Sequence, residues 1–209
     1  MKPLNIKQFT LGAAISAVIA AVLFYASYTM GKNEFFLWLN TDLGTVADYF
    51  FGIFTNAGDA SMWIVVLLVT LFVLKQKKAW PLLVSAFVLS TIFTQASKYI
   101  FYPDAPRPFK AISDHSLIHI VSFVKPLSIS SFPSGHTAAA FSIYLVLCLL
   151  LGSGWWLAIG LLYALAVGYS RIYLAQHFPF DVAAGITVAI VSVLLSLLIQ
   201  RAVFNKSKN

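Results

Sequence analysis

Charge is what this sequence has least of: one residue in ten is Asp, Glu, Lys or Arg, while 60% are apolar. Ordinary soluble domains carry about a quarter charged residues, so the composition excludes that class and points to an integral membrane protein. Cysteine is almost absent. The single Cys148 lies in an apolar run, cannot form an internal disulfide, and reads as a small packed side chain. Acidic residues number seven against fourteen basic ones. The basic residues sit at segment ends rather than in a stripe, which argues against a nucleic-acid partner and for a membrane anchor. No internal repeat, low-complexity tract, second domain or obligate protein partner is evident, so residues 1–209 read as one membrane-embedded domain.

What the chain has in quantity is long apolar runs, and in lipid these must be helical to satisfy their own backbone. The expected fold is all-α, with six transmembrane helices of about 20 residues each. The first runs from about Phe9 to Met30 and is too long for the apolar core of a signal peptide. The others lie near Ser61–Leu74, Trp80–Phe101, Thr137–Leu151, Trp155–Tyr169 and Val182–Gln200. Between the first two, residues 34–59 mix aromatics with Asn40, Asp42 and Asp48, as an interfacial amphipathic helix would. A long loop, 102–132, separates the third and fourth spans, and such loops are usually functional or disordered.

Orientation follows from the cations. With a cytoplasmic N-terminus, the inner side carries Lys2, Lys7, Lys75, Lys77, Lys78, Arg201, Lys206 and Lys208 and no acid; all seven acids and all four histidines fall outside. Six spans also leave both termini cytoplasmic. Three polar clusters then share the outer face, whether or not the first run is retained.

The clusters hold the chemistry. In Ser170-Arg171-x5-His177-x3-Asp181, Pro179 suits the first turn of the last helix, with His177 just before it and Asp181 just inside. The carboxylate can then fix the imidazole tautomer and leave the other nitrogen free to attack, while the Arg171 fork suits phosphate oxygens. The bland alternative is an Arg–Asp pair and an interfacial histidine, but ionisable groups at membrane depth are functional by default. Pro133-Ser134-Gly135-His136 enters the fourth span: Gly135 allows close backbone approach, the helix amides and Ser134 form an anion site, and His136 can act as a general acid. Alone it would be ordinary turn chemistry. Lys98 and Arg107-Pro108 supply further cations, although Lys98 could simply snorkel or pair with Asp104.

Together these residues resemble the type 2 phosphatidic acid phosphatase superfamily, which includes membrane lipid phosphatases, soluble acid phosphatases and vanadium-dependent haloperoxidases. The family pattern is Lys-x6-Arg-Pro, Pro-Ser-Gly-His and Ser-Arg-x5-His-x3-Asp. The last two blocks match residue for residue; in the first, eight residues rather than six separate Lys98 from Arg107. The motif core covers 98–181. The resemblance implies a metal-independent hydrolase without cofactor. His177, oriented by Asp181, would attack phosphorus and form a phosphohistidine, and His136 would protonate the leaving oxygen. Lys98, Arg107, Ser134, Gly135 and Arg171 would hold the phosphoryl oxygens.

The expected substrate is a lipid phosphate in the outer leaflet of a bacterial cytoplasmic membrane: an isoprenoid diphosphate, phosphatidylglycerol phosphate, phosphatidate or lipid A. Two rivals stand beside this reading. One is a phosphotransferase passing the group to another lipid. The other, of a different class, is an anion transporter or channel with a cationic vestibule. His115, His119 and Asp114 raise the thought of a metal in the long loop, but match no family motif, and no metal is expected.

Overall fold

The computed structural model describes residues 3–151 and 153–205. Its regular elements are all helical: α1 (Ile6–Thr29), α2 (Lys32–Leu39), α3 (Thr45–Phe54), α4 (Ala60–Leu68), α5 (Trp80–Ala96), α6 (Pro108–Ala111), α7 (Gly135–Leu151), α8 (Gly154–Tyr173) and α9 (Pro179–Asn205). The all-α expectation is therefore met. Among the described residues, four helical stretches are long and apolar enough to cross a membrane: 6–29, 77–101, 154–173 and 179–204. A fifth candidate is the pair Thr45–Gly58 and Ala60–Val73, bent by 64° at Asp59. At 17 residues, α7 is shorter and reaches only about 25 Å.

The bundle is built around α7, which packs against α1, α5, α8 and α9. Phe141, Tyr144, Leu145 and Leu149 of α7 are wholly buried. From α9, Ala183, Ile186, Ala189, Val193 and Leu197 recur every three or four residues and face inward. Lipid gives apolar side chains no incentive to leave it, so close backbone approach and dispersion must hold the helices. Gly185 shows how close: a Cβ there would lie 2.6 Å from the Ser134 carbonyl oxygen. Other faces present Val18, Val22, Ile64, Phe72, Ile92, Leu194 and Leu198 outward, an oily exterior suited to a membrane.

The two ends of the bundle differ. At one, the Asn5 amide donates to Leu149 O, Gln76 Nε2 to Leu150 O, and the Leu82 amide to Gln200 Oε1. At the other lie the α1–α2 turn, the α3–α4 bend, the loop 102–132 and the α8–α9 turn. The three motif clusters share this second end.

Two expectations need adjusting. The single interfacial helix over 34–59 is two helices, α2 and α3, separated at Asn40–Gly44. Asn40 is buried there because its Nδ2 donates to the Ile172 and Tyr173 carbonyls and its Oδ1 accepts from the His119 amide. The loop 102–132 is also not free. It carries α6, buries Val121 against Tyr173 and Leu174, and is clasped by the Arg107 amide on Ser128 O and the Ser131 amide on Ala105 O.

Candidate active site

His177 occupies the turn between α8 and α9. The Gln176 and His177 amides both donate to Arg171 O, and Ala175 takes a left-handed φ of 52°. This tight reversal brings His177, Arg171 and Asp181 to one point. Asp181 lies in the first turn of α9, and its Oδ2 accepts from the Phe178 amide and the Ser131 hydroxyl. An acid in a first turn reaching back to cap the helix is ordinary N-terminal chemistry. Here the same carboxylate also lies 3.6 Å from His177 Nδ1. That is too long for a hydrogen bond, so Asp181 stands poised beside the ring without yet holding it.

Arg107 arrives from the loop. Its Nε donates to Ile129 O, Nη2 to Ser130 O and Nη1 to Gln176 O, while Nη1 lies 3.4 Å from His177 Nε2. Arg171 donates from Nη1 to Thr55 Oγ1. Lys98 sits in a π turn, Ser97–Phe101, that closes α5. It lies within electrostatic range of Arg107, Arg171 and Asp181. The wide π turn takes up an extra residue relative to an α-helix, which accommodates part of the longer Lys98–Arg107 spacer.

Ser134 is buried at the head of α7 and accepts from the Thr137 amide and hydroxyl. It therefore caps the helix, with its own proton left to give. Beside Gly135, the space a Cβ would fill is open. His136 follows, its Nε2 2.7 Å from Asp59 Oδ1.

The electrostatics are lopsided. Burial comes first and the cations Arg107, Arg171 and Lys98 next in holding the His177 imidazole well below its ordinary 6.5, so it is neutral and carries a lone pair. Burial likewise lowers the Arg107 guanidinium from its usual value, though not enough to discharge it. Among the described residues, Arg171 Nε, His177 Nδ1 and Asp181 Oδ1 are buried without hydrogen-bond partners. Three converging cations and the unmatched Arg171 Nε–H make a socket suited to an oxyanion.

All eight sequence-derived residues thus gather at one end of the bundle. The sequence reading missed Asp59, Thr55, Ser131, Gln176 and Lys32. Asp59 was visible as the acid heading an apolar run. Lys32 Nζ lies 4.0 Å from Asp181 Oδ1 and 4.1 Å from the Phe178 ring centre; nothing local in the sequence announces that contact. His119, considered for a metal, meets Asp48 at 2.9 Å and lies near Asp42. Tyr173 Oη donates to the same Asp48 oxygen, so this group fastens the loop to α3 and α8. Asp114 instead caps its own turn through Ser116, which lowers its pKa.

An undecaprenyl-diphosphatase of Sulfolobus acidocaldarius is 34% identical over 128 residues, 61% of this chain and 58% of that protein. The undecaprenyl-diphosphatase BcrC of Bacillus subtilis is 38% identical over 88 residues, 41% of this chain and 40% of that one. The matched stretch thus spans less than two thirds of either relative. The crystal structure of Aquifex aeolicus LpxE superposes with a TM-score of 0.65 at 34% identity, covering 78% of this chain and 92% of that one. The sequence profile of the PAP2 superfamily matches residues 78–205, from the head of α5 through α9, and includes every residue of the three motifs. The chain belongs to the PAP2 superfamily.

Proposed function

We propose that the protein is a membrane lipid phosphatase or diphosphatase working through a phosphohistidine on His177. The observation that carries this is the buried His177 ring among Arg107, Arg171 and Lys98, surroundings that favour its neutral form. A histidine among cations is a poor structural choice, but a good nucleophile beside an anion socket. With Nδ1 turned toward Asp181, Nε2 attacks phosphorus. The P–N bond forms, the P–O bond breaks, and the leaving oxygen takes a proton from His136. The cations, the Ser134 hydroxyl and the α7 amides hold the equatorial oxygens, where charge spreads in the transition state. Asp181 stabilises the positive ring as it forms. Water then cleaves the P–N bond, returning a proton to His136. Apart from that water and the substrate, each step uses only groups of this chain.

The substrate class follows from the setting: a phosphate headgroup at the end of an oily bundle, with the lipid tail left in the membrane. Isoprenoid diphosphate, phosphatidylglycerol phosphate, phosphatidate and lipid A all carry the phosphate such a socket would hold; the names of two relatives favour the first. Four long helices, the bent α3–α4 pair and the shorter α7 are consistent with six crossings. The cation distribution supports cytoplasmic termini and a site on the outer face of the cytoplasmic membrane.

The test is phosphate release by purified protein from a panel of monophosphate and diphosphate lipids. Turnover is expected to survive chelators and to vanish in His177→Ala. A phosphotransferase would release phosphate poorly until an acceptor lipid is added. A transporter would bind lipid phosphate without turnover and be indifferent to His177→Ala; one relative, from Bacillus licheniformis, is named a bacitracin transport permease protein.

A further inference from the structure

The phosphohistidine reading requires His136 to carry a proton at the moment the leaving group departs. Its surroundings oppose this. Burial of the ring comes first in disfavouring a positive charge there, and Arg171, Lys98 and Arg107 add to it. Something must offset them, and the nearest group able to do so is Asp59, whose Oδ1 is 2.7 Å from His136 Nε2. That contact is shorter than the 3.6 Å between Asp181 and the nucleophile itself.

Asp59 is set there by the fold. It is extended, at φ −73° and ψ 160°, at the 64° bend where the α3 segment gives way to α4. Gly58 before it lies so close to α7 that a Cβ would fall 3.0 Å from His136 Cβ and 2.6 Å from Val167 Cγ1. The bend thus drives the Asp59 carboxylate against the first turn of α7. Asp59 and His136 also line one wall of a cavity of about 180 Å³, together with Gly135, Thr94 and Trp63, so the pair borders open space rather than closing a core. Asp59 lies outside the stretch matched by the family profile.

We infer that Asp59 is a positioning residue for the general acid: its carboxylate holds Nε2–H of His136 and stabilises the imidazolium against its surroundings, so that the leaving oxygen takes the proton on Nδ1. This rests on the phosphohistidine reading. It also bears on substrate class, because proton donation matters in proportion to how poor the leaving group is. An alkoxide departing from a lipid monophosphate needs the proton most. An aryl oxide, or the phosphate leaving from a diphosphate, needs it least.

The experiment compares wild type, Asp59→Asn, Asp59→Glu and His136→Ala as full chains in detergent, on an alkyl monophosphate and on p-nitrophenyl phosphate. Asp59→Asn should lose about 100-fold or more in kcat on the alkyl ester, the usual scale of general-acid catalysis, and only a few-fold on the aryl ester. Its optimum should move to lower pH, where an unsupported imidazole protonates. Asp59→Glu should recover part of the alkyl activity, and His136→Ala should share the leaving-group dependence. Equal losses on both esters, or no loss on either, would overturn the inference while leaving the phosphatase reading intact. If wild type turned over neither ester nor any lipid phosphate, both would fall together.

Discussion

At the residue scale, the site is defined by what its side chains are denied. His177 is 1% exposed and Asp181 fully buried, so neither reaches bulk water. The neutral state of His177 has a cost that can be read from stability. Its folded pKa is depressed, so as pH falls below 6.5 the unfolded chain binds a proton that the folded one refuses, and folding stability drops. The melting temperature of wild type in detergent should therefore fall more steeply between pH 7.5 and 5.5 than that of His177→Asn. Parallel curves would mean the ring titrates normally. Much at this scale was legible in the sequence: Arg171, His177 and Asp181 announce themselves because they lie within ten positions of one another, and His136 because it ends the run Pro133-Ser134-Gly135-His136. Asp59 and Lys32 do not. Their partners are 77 and 149 positions away, and only packing brings them near.

At the scale of elements, the helices were readable because apolar length is nearly a sufficient signal in lipid. Their interruptions were not. The break at Asn40 exists because a buried amide satisfies three backbone groups on α8 and the loop, a tertiary bargain with no local sign. The π turn at Ser97–Phe101 was equally hidden. The contact between α9 and α7 is the one on which the site's dimensions most depend, since Gly185 faces the Ser134 carbonyl. In Gly185→Ala the new methyl has rigid backbone to displace, so overpacking should cost about 1–3 kcal/mol. It should also push Asp181 away from Ser134, whose amide donates to the Asp181 carbonyl. Thermal unfolding and phosphate release should both decline. Full activity at lowered stability would mean α7 and α9 separate without disturbing the site.

At the scale of the whole molecule, the sorting of charge between the two ends was the most legible feature, because the membrane imposes it on the sequence directly. It can be checked cleanly. The native thiol, Cys148, is buried and should stay silent toward a membrane-impermeant maleimide. Ser116→Cys, on the exposed surface of the loop, should label in intact cells, whereas Lys77→Cys should label only after permeabilisation. The reverse pattern would invert the orientation. The gathering of Lys98, Arg107 and Arg171 at one end has a further meaning. Three like charges held together by a folded chain repel one another, and part of the bundle's cohesion is spent restraining them. A phosphate bound among them adds to the negative charge of Asp59 and Asp181 and relieves that repulsion, so binding and cohesion become linked. Any phosphate ester that binds among these cations should therefore also make the bundle harder to unfold.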